Sequence, residues 1–186
     1  METSRVAKGA LAGLAGGLAG TWAMNHFQAW WSRSVHGTEP ASAAGRHDAR
    51  DWQELAEGRN ANEIAAQTIA AHTLDRPLDR QELGVGATTV HFAFGGAMGA
   101  LYGAFWEVSP AARQMGGAAF GTAVWAAADE IAVPLLGLSR PTTEQPPERH
   151  AHAFAAHIVY GVTTEIVRRG VRALLVSSRE SRIGSR

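Results

Sequence analysis

The chain has no cysteine, which excludes disulfides, thiolate-ligated metal and a cysteine nucleophile and leaves the redox compartment open. It has no charge imbalance either. Seventeen Lys and Arg stand against seventeen Asp and Glu, so no nucleic-acid partner is expected. A Walker loop, an HExxH helix and a GxSxG elbow are all missing. With those signatures absent, no catalytic residue, metal site or cofactor is expected, and the chain reads as a non-enzyme. The mean hydropathy of -0.11 lacks the strongly apolar value of a membrane protein. That average conceals an uneven distribution, because the polar residues gather between residues 32 and 84 and at the tail.

What is abundant is glycine, 21 residues of 186, set in apolar runs. The run that organises the rest is GGAAFGTAVWAAADEIAVPLLGL, residues 116 to 138. It is long enough to cross a bilayer, yet it carries Asp129, Glu130 and then Pro134. A carboxylate at the centre of a membrane helix costs roughly 2.5–3.5 kcal/mol on insertion scales, so it is expected to face a partner or a water-filled cavity.

The length suits one domain, residues 1–186. Four membrane spans are expected within it, about 7–31, 85–107, 114–138 and 151–175, with a polar extramembrane insert at 32–84. The fold class expected is therefore all-α, an integral membrane bundle of four helices. Span one runs from Lys8 through Ala, Gly and Leu to Phe27, Trp30 and Trp31, which fit an interfacial belt. A cleaved signal peptide is the competing reading of this run, and its length and aromatic exit favour an anchor. Within the insert, EIAAQTIAAHTL has helical spacing and ends before Arg76-Pro77. The mixed charges between Arg46 and Gly58 read as a wetted face.

In span two, Gly95, Gly99 and Gly103 continue a four-residue interval that begins at His91. Gly9, Gly13 and Gly17 repeat it in span one, and Gly117 with Gly121 repeats it in span three. Span four carries His157, Gly161 and Glu165 at the same interval. Small-xxx-small stripes let helices approach closely in lipid, so these are helix-packing positions, and their faces also suit a homo-oligomer or a membrane-protein partner. The basic tail, with Arg5, Lys8 and Arg113, places both termini on the cytoplasmic side under the positive-inside rule. The lipid bilayer is then the principal partner.

Depth follows from about 1.5 Å of rise per residue. His91, Asp129, Glu130 and His157 fall roughly 9–14 Å below the outer edge of the hydrocarbon, with Asn25 and His26 no deeper. Asn25, His91, Asp129, Glu130 and His157 thus form a candidate intramembrane polar cluster. Adjacent acids point about 100° apart on an α-helix, so Asp129 and Glu130 are not expected to share a partner. At least one of them is expected to contact His91 or His157. Glu165 precedes Arg168 and Arg169 by three and four residues, an ordinary helix-pair spacing with a structural role.

Three stretches, VHFAFGGAMGALYG, GTAVWAAADEIAVPLLGLS and AHIVYGVTTEIVRR, resemble the YagU-like family of small bacterial inner-membrane proteins. The resemblance covers most of the chain outside roughly residues 36 to 80. It implies a multi-span helical membrane protein and brings no established reaction, cofactor or catalytic residue. The functional expectation is an accessory membrane protein linked to envelope or acid stress. The alternative is a small proton- or ion-conducting transporter working through the His/carboxylate cluster, since His changes charge near neutral pH.

Overall fold

The computed structural model describes residues 2–36, 61–139, 143 and 146–183. The Arg46–Gly58 stretch, half of the PTTEQPPE loop and Arg186 lie outside the described residues. Among the described residues every regular element is helical. They are α1 (Glu2–His36), α2 (Ala61–Thr73), α3 (Arg80–Val108), α4 (Pro110–Gln114) and α5 (Gly117–Trp125). A π-helical segment (Ala126–Ala132), α6 (Val133–Leu135) and α7 (Pro147–Ile183) complete the chain.

Glycine lowers helix propensity by about 1 kcal/mol relative to Ala, so helices this rich in it are held by packing. The packing is backbone against backbone. A β-carbon on Gly9 would strike the Gly103 carbonyl, one on Gly13 the Gly99 carbonyl, and one on Gly17 the Gly95 carbonyl. The pairs run in opposite directions along the chain, so α1 and α3 are antiparallel and meshed over three successive levels. A second face of α1 meets α7, where Gly16 abuts the Thr164 backbone and Gly20 abuts Thr164 and Tyr160. On the other side of α7, Gly117 and Gly161 face each other's backbone, and Gly121 lies against His157. The six glycines singled out from spacing, Gly95, Gly99, Gly103, Gly117, Gly121 and Gly161, are all buried in these contacts. They are consumed within the chain.

Between the meshed helices lies a small core of Met24, Tyr102, Phe120, Val124, Ala128, Ala156 and Tyr160. Tyr102 stacks on Phe120 at 4.1 Å between ring centroids. Each tyrosine hydroxyl donates to a backbone carbonyl, Tyr102 to Met115 at 3.1 Å and Tyr160 to Gly95 at 2.7 Å. Buried hydroxyls need such acceptors.

The third expected span is interrupted. Pro134 cannot donate a hydrogen bond, and in a regular helix its ring would clash with the carbonyl four residues earlier. The chain widens ahead of it instead, into a π-helical segment in which the Val133 N–H reaches back five residues to the Ala128 carbonyl. Gly137, with φ of 68°, then ends the helix in the left-handed conformation that glycine favours.

The insert contributes α2, which lays Ala66 and Ala70 against the start of α3. The start of α3 is a capping box. Asp79 accepts from the Glu82 N–H at 2.8 Å, and Glu82 accepts from the Asp79 N–H at 3.0 Å. Arg76 grips both Glu82 oxygens at 2.6 and 2.7 Å.

The membrane expectation meets one clear finding. Among the described residues no helix is long and apolar enough to cross a membrane. The physical reason is compositional, since glycines, threonines and inward-facing polar residues lower the mean hydropathy of α1, α3 and α7.

Two predictions follow from this packing. Gly99→Leu drives a side chain into Gly13 and Gly17, whereas Ala97 is exposed. Thermal unfolding of the two leucine variants is expected to show a large loss at position 99 and little change at 97; equal tolerance would mean the stripe is not an interface. The second concerns pH. The Arg76 guanidinium, helped by the Asp79 N–H, holds the Glu82 carboxyl down to about 2 from an ordinary 4.5. Because the folded value is depressed, the Glu82 contribution is fully present above pH 4.5 and is lost as pH falls toward 2. Protection of the first-turn amides of α3, taken relative to their intrinsic exchange rates, should fall over that window, and Glu82→Gln should abolish that fall.

Candidate functional site

The ionisable residues buried in the bundle gather toward its two ends, and α7 carries members of both groups. His150, His157, Tyr160, Thr164, Arg168 and Arg172 recur at intervals of seven, three and four, which places them on one helix face. His157, Tyr160, Thr164 and Arg168 on this face are buried. From His157 to Arg172 the helix rises about 22 Å, so the two groups are well separated.

At the first end, the π-helical segment presents its acids to α7. Asp129 Oδ2 lies 3.6 Å from His157 Nδ1. That is an ion-pair distance and not a hydrogen bond, because His157 Nδ1 donates to the Ala153 carbonyl at 2.9 Å. Glu130 makes the shorter contact, its Oε1 accepting from His150 Nδ1 at 2.7 Å. The two acids therefore meet two histidines seven residues apart, about two turns of one helix. His152, on the same helix, stacks on Phe27 and Trp31 at 6.2 and 5.3 Å between centroids.

Of the five residues expected in the cluster, Asp129, Glu130 and His157 are thus brought together by way of α7, with His150 as the added member. His91 is half-buried and within electrostatic range of His157, but makes no ion pair with either acid among the described residues. Asn25 is half-buried beside Met24 on α1. Among the described residues no group of three or more His, Cys, Asp or Glu could hold a metal ion.

The opposite end holds a denser network. Glu107, near the end of α3, is buried and receives Arg172 through Nε at 2.5 Å and Nη2 at 3.2 Å. Arg5 lies 3.5 Å from its other oxygen and also donates to the Glu107 carbonyl. Arg113 donates to the Glu107 and Trp106 carbonyls, which end α3. Alongside, Glu165 takes both Nε and Nη2 of Arg168 at 2.7 and 2.8 Å, and Nε of Arg169 at 2.5 Å. Arg168 is 1% exposed and lies 4.3 Å over the Trp106 ring. A planar guanidinium forked on a carboxylate and stacked on an indole is well suited to burial.

Sequence spacing identified the Glu165 pairs but missed Glu107 and the burial of Arg168. A signal existed, since Glu107 is the only acid between residues 85 and 108. What spacing could not supply is its partner 65 residues away.

The arrangement defines a class, an all-α bundle knit by glycine contacts with ionic groups at both ends. Residues 63–166 match the model of a family described as "Protein of unknown function (DUF1440)". That stretch is more than half of the chain, which therefore belongs to this family. It takes in α2 through most of α7 and includes residues between 63 and 80, where the motif resemblance does not reach. No curated protein and no solved structure matches the chain.

Removing one partner of a buried ion pair leaves an uncompensated charge and typically costs 3–5 kcal/mol. Glu107→Ala, which strands Arg172 and Arg5, is expected to destabilise by roughly that amount. Chemical unfolding is the check, and a change under about 1 kcal/mol would mean that these arginines rearrange freely into solvent.

Proposed function

We propose that this protein is a multi-pass accessory protein of the bacterial inner membrane, without enzymatic activity, with both termini on the cytoplasmic side. The observation that carries the reading is an inversion of interior and exterior. The interior sets Gly, Ala, Thr and paired Arg and Glu around one small core of Met24, Tyr102, Phe120, Val124 and Tyr160, while Leu11, Leu101, Ile131, Leu135, Ile166 and Leu174 are exposed. Leu135 reaches 81% exposure. In water such a surface is a contiguous liability. In hydrocarbon it costs nothing, and small residues belong at the helix interfaces.

The mean hydropathy of a helix counts its inward residues, which lipid does not meet. The threonines support the same reading. Thr88, Thr89 and Thr122 satisfy their hydroxyls on the carbonyl four residues back, as a side chain without water requires. Exposed Trp22 and Trp30 on one half of α1 suit an interfacial belt. The resemblance to the YagU-like family supports the same location; a role in envelope or acid stress is part of the proposal and is not carried over from that resemblance.

The pairing of Asp129 with His157 and Glu130 with His150 favours a second reading, in which the bundle conducts protons or a small ion. Intramembrane carboxylate–histidine pairs are a recurring element of proton and ion pathways.

Extraction and labelling test the first reading. Membranes expressing the protein should release it only with detergent. Single cysteines at Ser32 or Glu148, both exposed, should label from the periplasmic side, and those at Thr3 or Gln114 should not. Release by carbonate or high salt would refute the membrane assignment. For the second reading, proteoliposome flux measured from pH 5 to 8 should depend on pH and disappear in Glu130→Gln. A flat profile, or no flux above empty liposomes, leaves the accessory role alone.

A further inference from the structure

We propose that the arginine end of the bundle is a binding surface for anionic phospholipid headgroups, an inference that rests on the membrane reading above. At this end six cations, Arg5, Lys8, Arg113, Arg168, Arg169 and Arg172, meet two carboxylates, Glu107 and Glu165. Both carboxylates are buried and saturated by the guanidinium contacts already described. The surplus is positive and lies on the outside.

The geometry of the outer cations supports this. Arg169 is 65% exposed and gives only Nε to Glu165, so among the described residues its two terminal nitrogens are open. Arg5 is 56% exposed. Arg113 is exposed and spends Nε and Nη2 on the carbonyls that end α3, so its charge remains uncompensated by any carboxylate among the described residues. Guanidinium donors of this kind match a phosphodiester, which accepts in the same plane.

A free anion would need only the charges. Here they border an apolar collar, with Phe105 and Val108 at the end of α3 and Ile166 on α7 all exposed. Phosphate-binding donors above exposed aliphatic and aromatic side chains fit a molecule that is anionic at its head and hydrocarbon below. Lys and Arg near an anionic leaflet each contribute about fivefold in affinity.

Full-length protein in a neutral detergent, offered equal phosphatidylglycerol and phosphatidylcholine, tests this by native mass spectrometry of the retained lipid. Phosphatidylglycerol should be retained over phosphatidylcholine by about twenty-five-fold or more. Arg113→Gln with Arg169→Gln should reduce that retention roughly twenty-five-fold, at about fivefold per charge. Arg33→Gln, exposed on α1 beyond the histidine end, should leave it unchanged. If the double variant fails to fold, Arg169→Gln alone carries the test with a loss of about fivefold, restored by Arg169→Lys. Equal retention of the two lipids overturns the proposal. So does an equal loss in Arg33→Gln, or displacement of the lipid by millimolar inorganic phosphate, which would mark a simple anion site. A protein that stays monodisperse without detergent overturns the membrane reading itself; loss of lipid preference in a detergent-dependent protein overturns only the headgroup surface.

Discussion

Between α1 and α3 there is no room for a β-carbon at three successive levels, and this constraint decides what the other residues can do. Helices whose backbones touch cannot enclose large side chains at the contact. The leucines and phenylalanines of α1 and α3 must then point outward, and Leu11, Leu14, Leu18, Phe94 and Leu101 do. The apolar exterior is therefore a geometric consequence of the glycine interior. Burial of large apolar groups, the usual driving force in water, contributes little at this seam. Close dispersion contact between backbones replaces it, which is the arrangement lipid favours.

The same constraint explains where the charges sit. With the middle of the bundle occupied by glycine, alanine and hydroxyls that bond backbone carbonyls, charged groups find space only toward its ends. They are not used alike. At the arginine end each buried carboxylate holds more than one guanidinium, so the charges are fixed at any pH at which carboxylates remain ionised. At the histidine end each acid faces one imidazole, Asp129 at His157 and Glu130 at His150.

Much of the frame was legible in the sequence. The four-residue glycine interval marked the close-packed faces, and EIAAQTIAAHTL marked α2. The meshing of Gly9 with Gly103 and Gly17 with Gly95 was not legible, because a stripe shows that a face is available and not which stripe fills it. Glu107 escaped for the same reason, its partner lying on a helix remote in sequence. The expected membrane spans illustrate the opposite difficulty. Read as continuous runs, they were judged by overall apolarity, and no helix meets that standard among the described residues. The informative quantity is the difference between the inward and outward faces, which requires knowing the neighbours.

The acid pair shows how a local backbone rule can redirect a side chain. On a regular helix, adjacent Asp129 and Glu130 diverge by about 100° and would not both meet one neighbouring helix. Pro134 changes the premise. By excluding a regular turn it enforces the wide one from Ala126 to Ala132, which contains both acids. In the widened turn Asp129 faces His157 while Glu130 reaches His150 two turns along α7. Straightening the segment into an α-helix would rotate the acids relative to α7 and break at least one pairing. The proline thus acts on the charged pair through the backbone. π-Helical turns often occur at functional sites; here the reason is visible, since the wide turn is what lets two neighbouring carboxylates address the same helix.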